Sequence, residues 1–137
     1  MLISTRGRYA LRIMLELAAH PAGVCVSLSS MAKRQDISLK YMESIIASLT
    51  RAGLVSGVRG KGGGYCLSRR PEEYTVGEIL HLSEGPLAPV SCLAEGENHC
   101  ARADECLTLP LWKKLDGMIN GYLDSVTLAD LLAHRIP

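Results

Sequence analysis

The sequence contains no phenylalanine and a single tryptophan, and aromatic residues make up only 4% of its 137 positions. Any core must therefore be aliphatic, drawn from the 47% of residues that are hydrophobic. No run of about 18 apolar residues occurs, so nothing reads as a membrane-spanning helix. The opening "MLISTRGRYALRIMLELAAH" lacks the unbroken apolar segment of a signal peptide, because Arg12 and Glu16 interrupt it and no A-x-A site follows. It reads as an amphipathic helix, and the chain is expected in the cytoplasm, away from membranes. The length fits one domain with a short appendage. There is no internal repeat and no low-complexity tract.

Net charge is nearly absent at +1, but it is unevenly distributed. Residues 1–70 carry eleven Lys and Arg against three acids, a net +8. Residues 71–137 carry four bases against eleven acids, a net −7. A basic half on a near-neutral chain suggests a polyanion-binding face.

Local periodicity orders the elements. Residues 6–20 repeat at helical spacing through Tyr9, Ile13 and Leu17. Ser27 suits the N-cap of a short helix with Leu28, Met31 and Ala32, and "QDIS" makes a tight connection. Ser38 suits the cap of a second helix, about 38–52, with Tyr41, Ile45, Ile46 and Leu49 inward and Gly53 as its terminating glycine. The period then falls to two: "LVSGVR" and "YCLSR" read as strands around a "GKGGG" tip. Thr75 and Glu78 have the spacing of a capping box for another helix. Residues 83–107 read as an irregular loop, Pro110 opens the last long helix, and Thr127 with Asp130 can cap a final piece. A helix–turn–helix followed by a glycine-tipped hairpin is a winged helix. The expected fold is mainly α with a small β-hairpin: a winged helix–turn–helix plus a long C-terminal dimerisation helix. The expected division is 1–82 for the winged helix, 83–108 for a cysteine-rich sensor loop and 109–137 for the dimerisation helix.

"VRGKGGGY" invites a nucleotide-loop reading, which its register rejects. A phosphate-binding loop needs Ser or Thr after Gly60-Lys61, and Gly62 stands there. The dinucleotide pattern from Gly60 and Gly62 reaches Tyr65 where a glycine is required. As a wing the same residues make sense. Gly60, Gly62 and Gly63 allow close approach to a sugar–phosphate wall, while Arg59 and Lys61 supply charge-assisted contacts. The second helix of the helix–turn–helix would enter the major groove of double-stranded DNA. Its candidate contacts are Ser38, Lys40, Tyr41 and Glu43, with Arg51 at its far end. Tyr41 reads equally well as core, and Glu43 can accept from cytosine.

Five cysteines are present, and Cys92, Cys100 and Cys106 fall within fifteen residues. No C-x2-C pair occurs, so this is not a zinc-finger pattern. Three thiols on one loop can still converge on a metal or cluster, act as a thiol–disulfide sensor, or hold nothing. Cys25 and Cys66 read as structural. No nucleophile environment or oxyanion motif is recognisable, so the chain does not read as an enzyme. In the last helix, Trp112, Leu115, Ile119, Tyr122 and Val126 form a heptad-like seam fit for pairing with a second copy.

The stretches "STRGRYALRIMLELA", "ISLKYMESIIASLTRAGLVSGVRGKGGGYCLSR" and "TVGEIL", the three-cysteine loop and "LTLPLW" resemble the Rrf-two family of bacterial transcription regulators. The resemblance spans nearly the whole chain. It implies a homodimeric winged-helix regulator, expected to be a repressor, whose recognition helices read a palindromic operator. It also implies an iron–sulfur cluster, two-iron or four-iron, on Cys92, Cys100 and Cys106, sensing redox state, nitric oxide or cluster supply. The fourth ligand departs from the family pattern. Leu109 stands where some relatives have histidine, and Arg8 where others borrow an acid from the partner subunit; His99, Glu97, Asp104 and Glu105 are the nearby substitutes. The alternatives are a cluster-free regulator signalled through thiols or a protein partner, and a winged-helix interaction module with little DNA affinity.

Overall fold

The computed structural model describes residues 1–94 and 100–136. Among the described residues, six α-helices and one hairpin follow in order: α1 (Thr5–Ala18), α2 (Leu28–Gln35), α3 (Leu39–Arg51), β1 (Val55–Val58), β2 (Gly64–Leu67), α4 (Val76–Glu84), α5 (Leu109–Ser125) and α6 (Leu128–Leu132). Short 3-10 turns at Pro71–Glu73, Ser91–Leu93 and Ala103–Glu105 punctuate the connections.

The helices begin where small polar residues can serve their first free N–H groups. The side chains of Ser4, Ser27, Ser38 and Thr75 accept from the backbone N–H of Gly7, Ser30, Tyr41 and Glu78, respectively. Only half of the capping box expected at α4 forms. The Glu78 carboxylate turns away to accept from Arg69 Nη2 at 2.7 Å, because that ion pair competes for it. Thr127 and Asp130 do complete a reciprocal box at α6. The Thr127 N–H holds the Asp130 carboxyl below its ordinary value, so this cap is fully present at neutral pH and lost on acidification.

The aliphatic core joins Ala10, Ile13, Met14 and Leu17 of α1 to Met31, Met42, Ile45, Ile46, Leu49, Ile79 and Leu128. Helices α2 and α3 meet through Asp36, which adopts a left-handed conformation (φ 53°), and Ile37, which is buried. Arg6 of α1 donates to Ser44 Oγ at 3.0 Å, the Ser44 carbonyl at 3.2 Å and Ser48 Oγ at 3.1 Å, fixing the back of α3. On the other flank Glu16 accepts from Arg34 and, at 2.7 Å, from Gln35 Nε2, tying α1 to α2.

The hairpin is antiparallel, with Val55 opposite Leu67 and Val58 opposite Gly64. A third segment joins its outer side: Val26 and Tyr65 exchange both backbone hydrogen bonds, each 2.8 Å. Gly64 is required there. Its φ is +152°, and a Cβ would collide with the Val26 carbonyl.

Tyr74 closes the base of the hairpin. Its ring is fully buried, and its hydroxyl donates to the Leu54 carbonyl at 2.6 Å while accepting from the N–H groups of Ser68 and Arg69, both 2.9 Å. Past α5 the chain returns to this point. Val76 N–H donates to the Val126 carbonyl at 2.8 Å, and Leu128 N–H to the Tyr74 carbonyl at 3.1 Å. Val126 is accordingly buried with Val76, Leu80 and Leu87 of its own chain. It therefore drops out of the seam expected on the last helix, having left α5 at its C-cap.

Tyr74→Phe removes the hydroxyl that the Leu54 carbonyl and the Ser68 and Arg69 N–H groups share, leaving the first two only their mutual 3.3 Å bond. It is expected to destabilise the chain by about 1–3 kcal/mol, read from the midpoint of urea unfolding with an unchanged slope.

Candidate DNA interface and cysteine segment

Helix α3 buries Met42, Ile45, Ile46 and Leu49, which leaves the opposite face to solvent. Ser38, Lys40, Glu43 and Arg51 lie on that exposed side. Tyr41 sits differently: it is half-buried and meets Tyr9 edge-on, with ring centroids 6.0 Å apart. Its place is the seam between α1 and α3 rather than the outer face. Leu39, which sequence reasoning passed over, is 45% exposed at the first turn of α3. An apolar side chain at that position suits contact with a thymine methyl. Its only signal in sequence was its place directly after the Ser38 cap.

The wing tip projects beyond the sheet. Arg59, Gly60, Lys61 and Gly62 are exposed, and Gly60 and Gly62 have φ of +98° and +77° with open space where a Cβ would stand. Gly63 is more enclosed, and its N–H donates to the Gly60 carbonyl at 3.0 Å to shape the turn.

The ion pairs among the described residues are Arg34–Glu16, Arg69–Glu78, Arg70–Glu73 and Arg135–Asp130. None involves Lys40, Glu43, Arg51, Arg59 or Lys61. The cations of α3 and the wing tip thus have no carboxylate partner among the described residues, and the Arg51 side chain donates only to Ser48 Oγ of its own helix, at 3.3 Å. Arg69, also in the basic half, is spent on structure: its guanidinium lies 4.3 Å from the Tyr74 ring centroid.

The three clustered cysteines occupy separate pieces of the segment between α4 and α5. Cys92 is half-buried in the Ser91–Leu93 turn, Cys100 is exposed, and Cys106 follows the Ala103–Glu105 turn just before α5. Among the described residues no group of three or more His, Cys, Asp or Glu is placed to hold a metal ion. As placed, therefore, the three thiols do not form a metal site. His99 and Glu97, two candidate fourth ligands, lie outside the described residues; Asp104 and Glu105 sit in the turn before Cys106. Cys106 has one property of a ligand. The Thr108 hydroxyl lies 3.3 Å from its sulfur, and this contact, with the backbone N–H groups of Thr108 and Leu109, holds the thiol below its ordinary value.

Helix α5 carries an apolar row that the chain itself does not cover. Leu111, Leu115, Met118 and Tyr122 are exposed at steps of four, three and four, with Trp112 and Ile119 half-buried on the flank. The row is turned relative to the expected seam, because Asp116, Asn120 and Leu123 take the inward side.

The family model described as "Rrf2: Iron-dependent Transcriptional regulator" matches residues 3–134. The chain belongs to the Rrf2 family. Among curated relatives, the HTH-type transcriptional regulator IscR of Serratia proteamaculans is 38% identical over 135 residues, covering 98% of this chain and 81% of that protein. Among solved structures, CymR, the global cysteine regulator of B. subtilis, superposes with a TM-score of 0.79 at 38% identity, covering 98% of both chains. T. potens IscR gives 0.77 at 39% identity, covering 98% of this chain and 88% of that one. The winged helix is thus the Rrf2 fold, and the chain is an Rrf2 transcriptional regulator rather than an enzyme.

Thr108→Val removes the hydroxyl beside the Cys106 sulfur. It is expected to slow alkylation of Cys106 by iodoacetamide at pH 7 by roughly 2- to 10-fold, read by peptide mass spectrometry. An unchanged rate would show that Thr108 does not tune this thiol.

Proposed function

We propose that the chain is a cytoplasmic, homodimeric repressor that reads a palindromic operator. The supporting observation is the set of exposed charges on α3 and the wing that form no ion pair among the described residues: Lys40, Arg51, Arg59 and Lys61, with Glu43 among them. Cations supply phosphate contacts and salt-dependent affinity. Glu43 is the sequence reader, since a carboxylate repels phosphate and gains only by accepting from a base such as cytosine. Ser38 and the α3 N-terminus hold a phosphate, and Gly60, Gly62 and Gly63 let the wing backbone lie against the duplex. Tyr41 supports α3 from behind. A protein seated on a promoter in this way excludes polymerase, which makes it a repressor.

The uncovered row of Leu111, Leu115, Met118 and Tyr122 supports pairing of α5 with a second copy, flanked by Trp112 and Ile119. A two-fold dimer places two recognition helices about one or more helical turns apart, hence the palindrome. Residues 1–82 then bind DNA, 83–108 receive the signal and most of 109–137 joins the subunits, with 126–132 packed back on the DNA-binding unit.

Cys92, Cys100 and Cys106 are the proposed receivers, through a two-iron or four-iron cluster. The family description and the lowered Cys106 thiol support this. Such a cluster, when bound, supplies sensitivity to oxidants, nitric oxide or iron supply. Because the three thiols do not converge as placed, ligation requires residues 83–108 to close up. That same non-convergence favours a second reading, in which the thiols signal without a cluster.

Anaerobic purification is expected to yield a brown protein with stoichiometric iron and sulfide; a colourless, metal-free protein that still binds its operator would favour the second reading. Arg59→Ala and Lys61→Ala are each expected to weaken operator binding and to lower its salt slope by about 1, the release of one phosphate-bound counterion. Leu115→Glu with Met118→Glu is expected to give a monomer by sedimentation; an intact dimer would place the subunit interface elsewhere.

A further inference from the structure

Outside the sensor segment the chain has two more cysteines, 41 positions apart, which the fold sets side by side. Val26 and Tyr65 exchange both of their backbone hydrogen bonds, each 2.8 Å. They are therefore a hydrogen-bonded antiparallel pair, and the next residues out, Cys25 and Cys66, are a non-hydrogen-bonded pair. Such pairs bring their Cα atoms to about 4.5 Å, with both side chains on the same face. A disulfide spans Cα separations of about 4.4–6.8 Å, so the backbone already has the required approach. The side chains agree. Cys66 Sγ lies 3.6 Å from Ser56 Oγ, the residue opposite it on β1, so its thiol is on the face away from Tyr65. The Cys25 thiol is held above its ordinary value, chiefly by the neighbouring Cys66 thiol, in keeping with that pairing. Both residues are half-buried, not disulfide-bonded, and Cys66 lines an open cleft with His20, Val24 and Arg70.

We propose that Cys25 and Cys66 are a modification site: under oxidation they close into an intrachain disulfide joining the segment before α2 to the wing. The oxidant is a hydroperoxide, ROOH. One thiol sulfur takes up the hydroxyl oxygen to become a sulfenic acid, and ROH leaves. The second thiol sulfur attacks that sulfenic sulfur, the S–O bond breaks, and water leaves with the second thiol's proton. Two thiols and ROOH give one disulfide, ROH and water, with two electrons passing from sulfur to oxygen.

The bond joins segments that already pair, so it fixes the wing in its present attitude instead of displacing it. It also closes a long loop containing all of α2 and α3, a placement with a large effect on the unfolded chain. The oxidised protein should therefore melt higher, by roughly 5–15 °C, and keep its operator affinity within about threefold. The site is independent of the cluster reading, because none of Cys92, Cys100 or Cys106 takes part.

The test is stoichiometric hydrogen peroxide on the full chain, followed by alkylation and tryptic mapping without reductant. Trypsin releases Cys25 on residues 13–33 and Cys66 on residues 62–69, while the sensor cysteines fall on other peptides. The expected product is the 13–33/62–69 pair, two hydrogens lighter than the sum of its parts and split by dithiothreitol. It is expected equally in wild type and in Cys92→Ala/Cys100→Ala/Cys106→Ala. Cys25→Ser and Cys66→Ser each abolish both the linked peptide and the melting shift. Recovery of the two peptides unlinked from wild type, each alkylated or singly oxidised, overturns the proposal. A linked product that loses more than tenfold in operator affinity overturns the locked-wing consequence.

Discussion

The buried hydroxyl of Tyr74 is the constraint on which the DNA-binding geometry rests. Where β1 leaves α3 and β2 departs toward α4, the backbone groups of Leu54, Ser68 and Arg69 have no complete ladder of their own. One phenolic oxygen serves all three, with contacts of 2.6–2.9 Å. The bond into the Leu54 carbonyl is buried, and a buried group left without its partner costs about 1–3 kcal/mol. The same residue's carbonyl receives Leu128 N–H, so the return of the chain after α5 is pinned to the base of the wing. The attitude of the wing relative to α3 is set here, well away in sequence from the glycines that form its tip.

Around that anchor the charges sort by purpose. Carboxylates neutralise the basic half where it is structural: Glu16 takes Arg34, Glu78 takes Arg69, and Glu73 takes Arg70. Arg6 is spent on the serines of α3. Of the other basic-half cations without a carboxylate among the described residues, Lys40 and Arg51 stand on α3 and Arg59 and Lys61 at the wing tip, with Arg8, Arg12 and Lys33 on α1 and α2. Exposed pairs of this kind contribute little to stability, with a median of about 0–1 kcal/mol. Their stronger effect is on the surface field, because they withdraw positive charge from the flanks and leave it where a phosphate backbone would run.

Features with a local cause were legible in the sequence. The caps at Ser27, Ser38 and Thr75 and the glycine after α3 follow from backbone groups within a few residues, and each is found where it was expected. The glycine-tipped hairpin follows from a change of period. Features with a distant cause were not legible. The pairing of Val26 with Tyr65 is a single bridge, too short to leave an alternating pattern. Glu78 fits a capping box by spacing, yet Arg69, nine residues away, takes its carboxylate. Val126 continues a heptad on paper, but the helix stops at Ser125 and the chain turns into the core. Nothing local marks Tyr74, whose partners Leu54, Ser68 and Arg69 lie five to twenty residues away.

How a signal at the cysteines would reach DNA is constrained by what Cys106 touches. The Cys106 carbonyl accepts from Leu109 N–H, and its sulfur sits beside Thr108, the residue that precedes α5. Drawing Cys106 toward Cys92 and Cys100 therefore acts directly on the first turn of α5. Helix α5 packs on α4, α4 on α1, and α1 holds α3 through Arg6. Contiguity alone does not move an equilibrium: a ligand shifts one only by its differential affinity for two arrangements. The non-convergence of the thiols supplies that difference in principle, because a group that needs all three binds only the closed form of the segment. If the closed form turns α5, it also turns the exposed apolar row, and with it the spacing of two recognition helices. The physical variable under the signal would then be half-site spacing, with α3 and the wing keeping the shape that Tyr74 gives them.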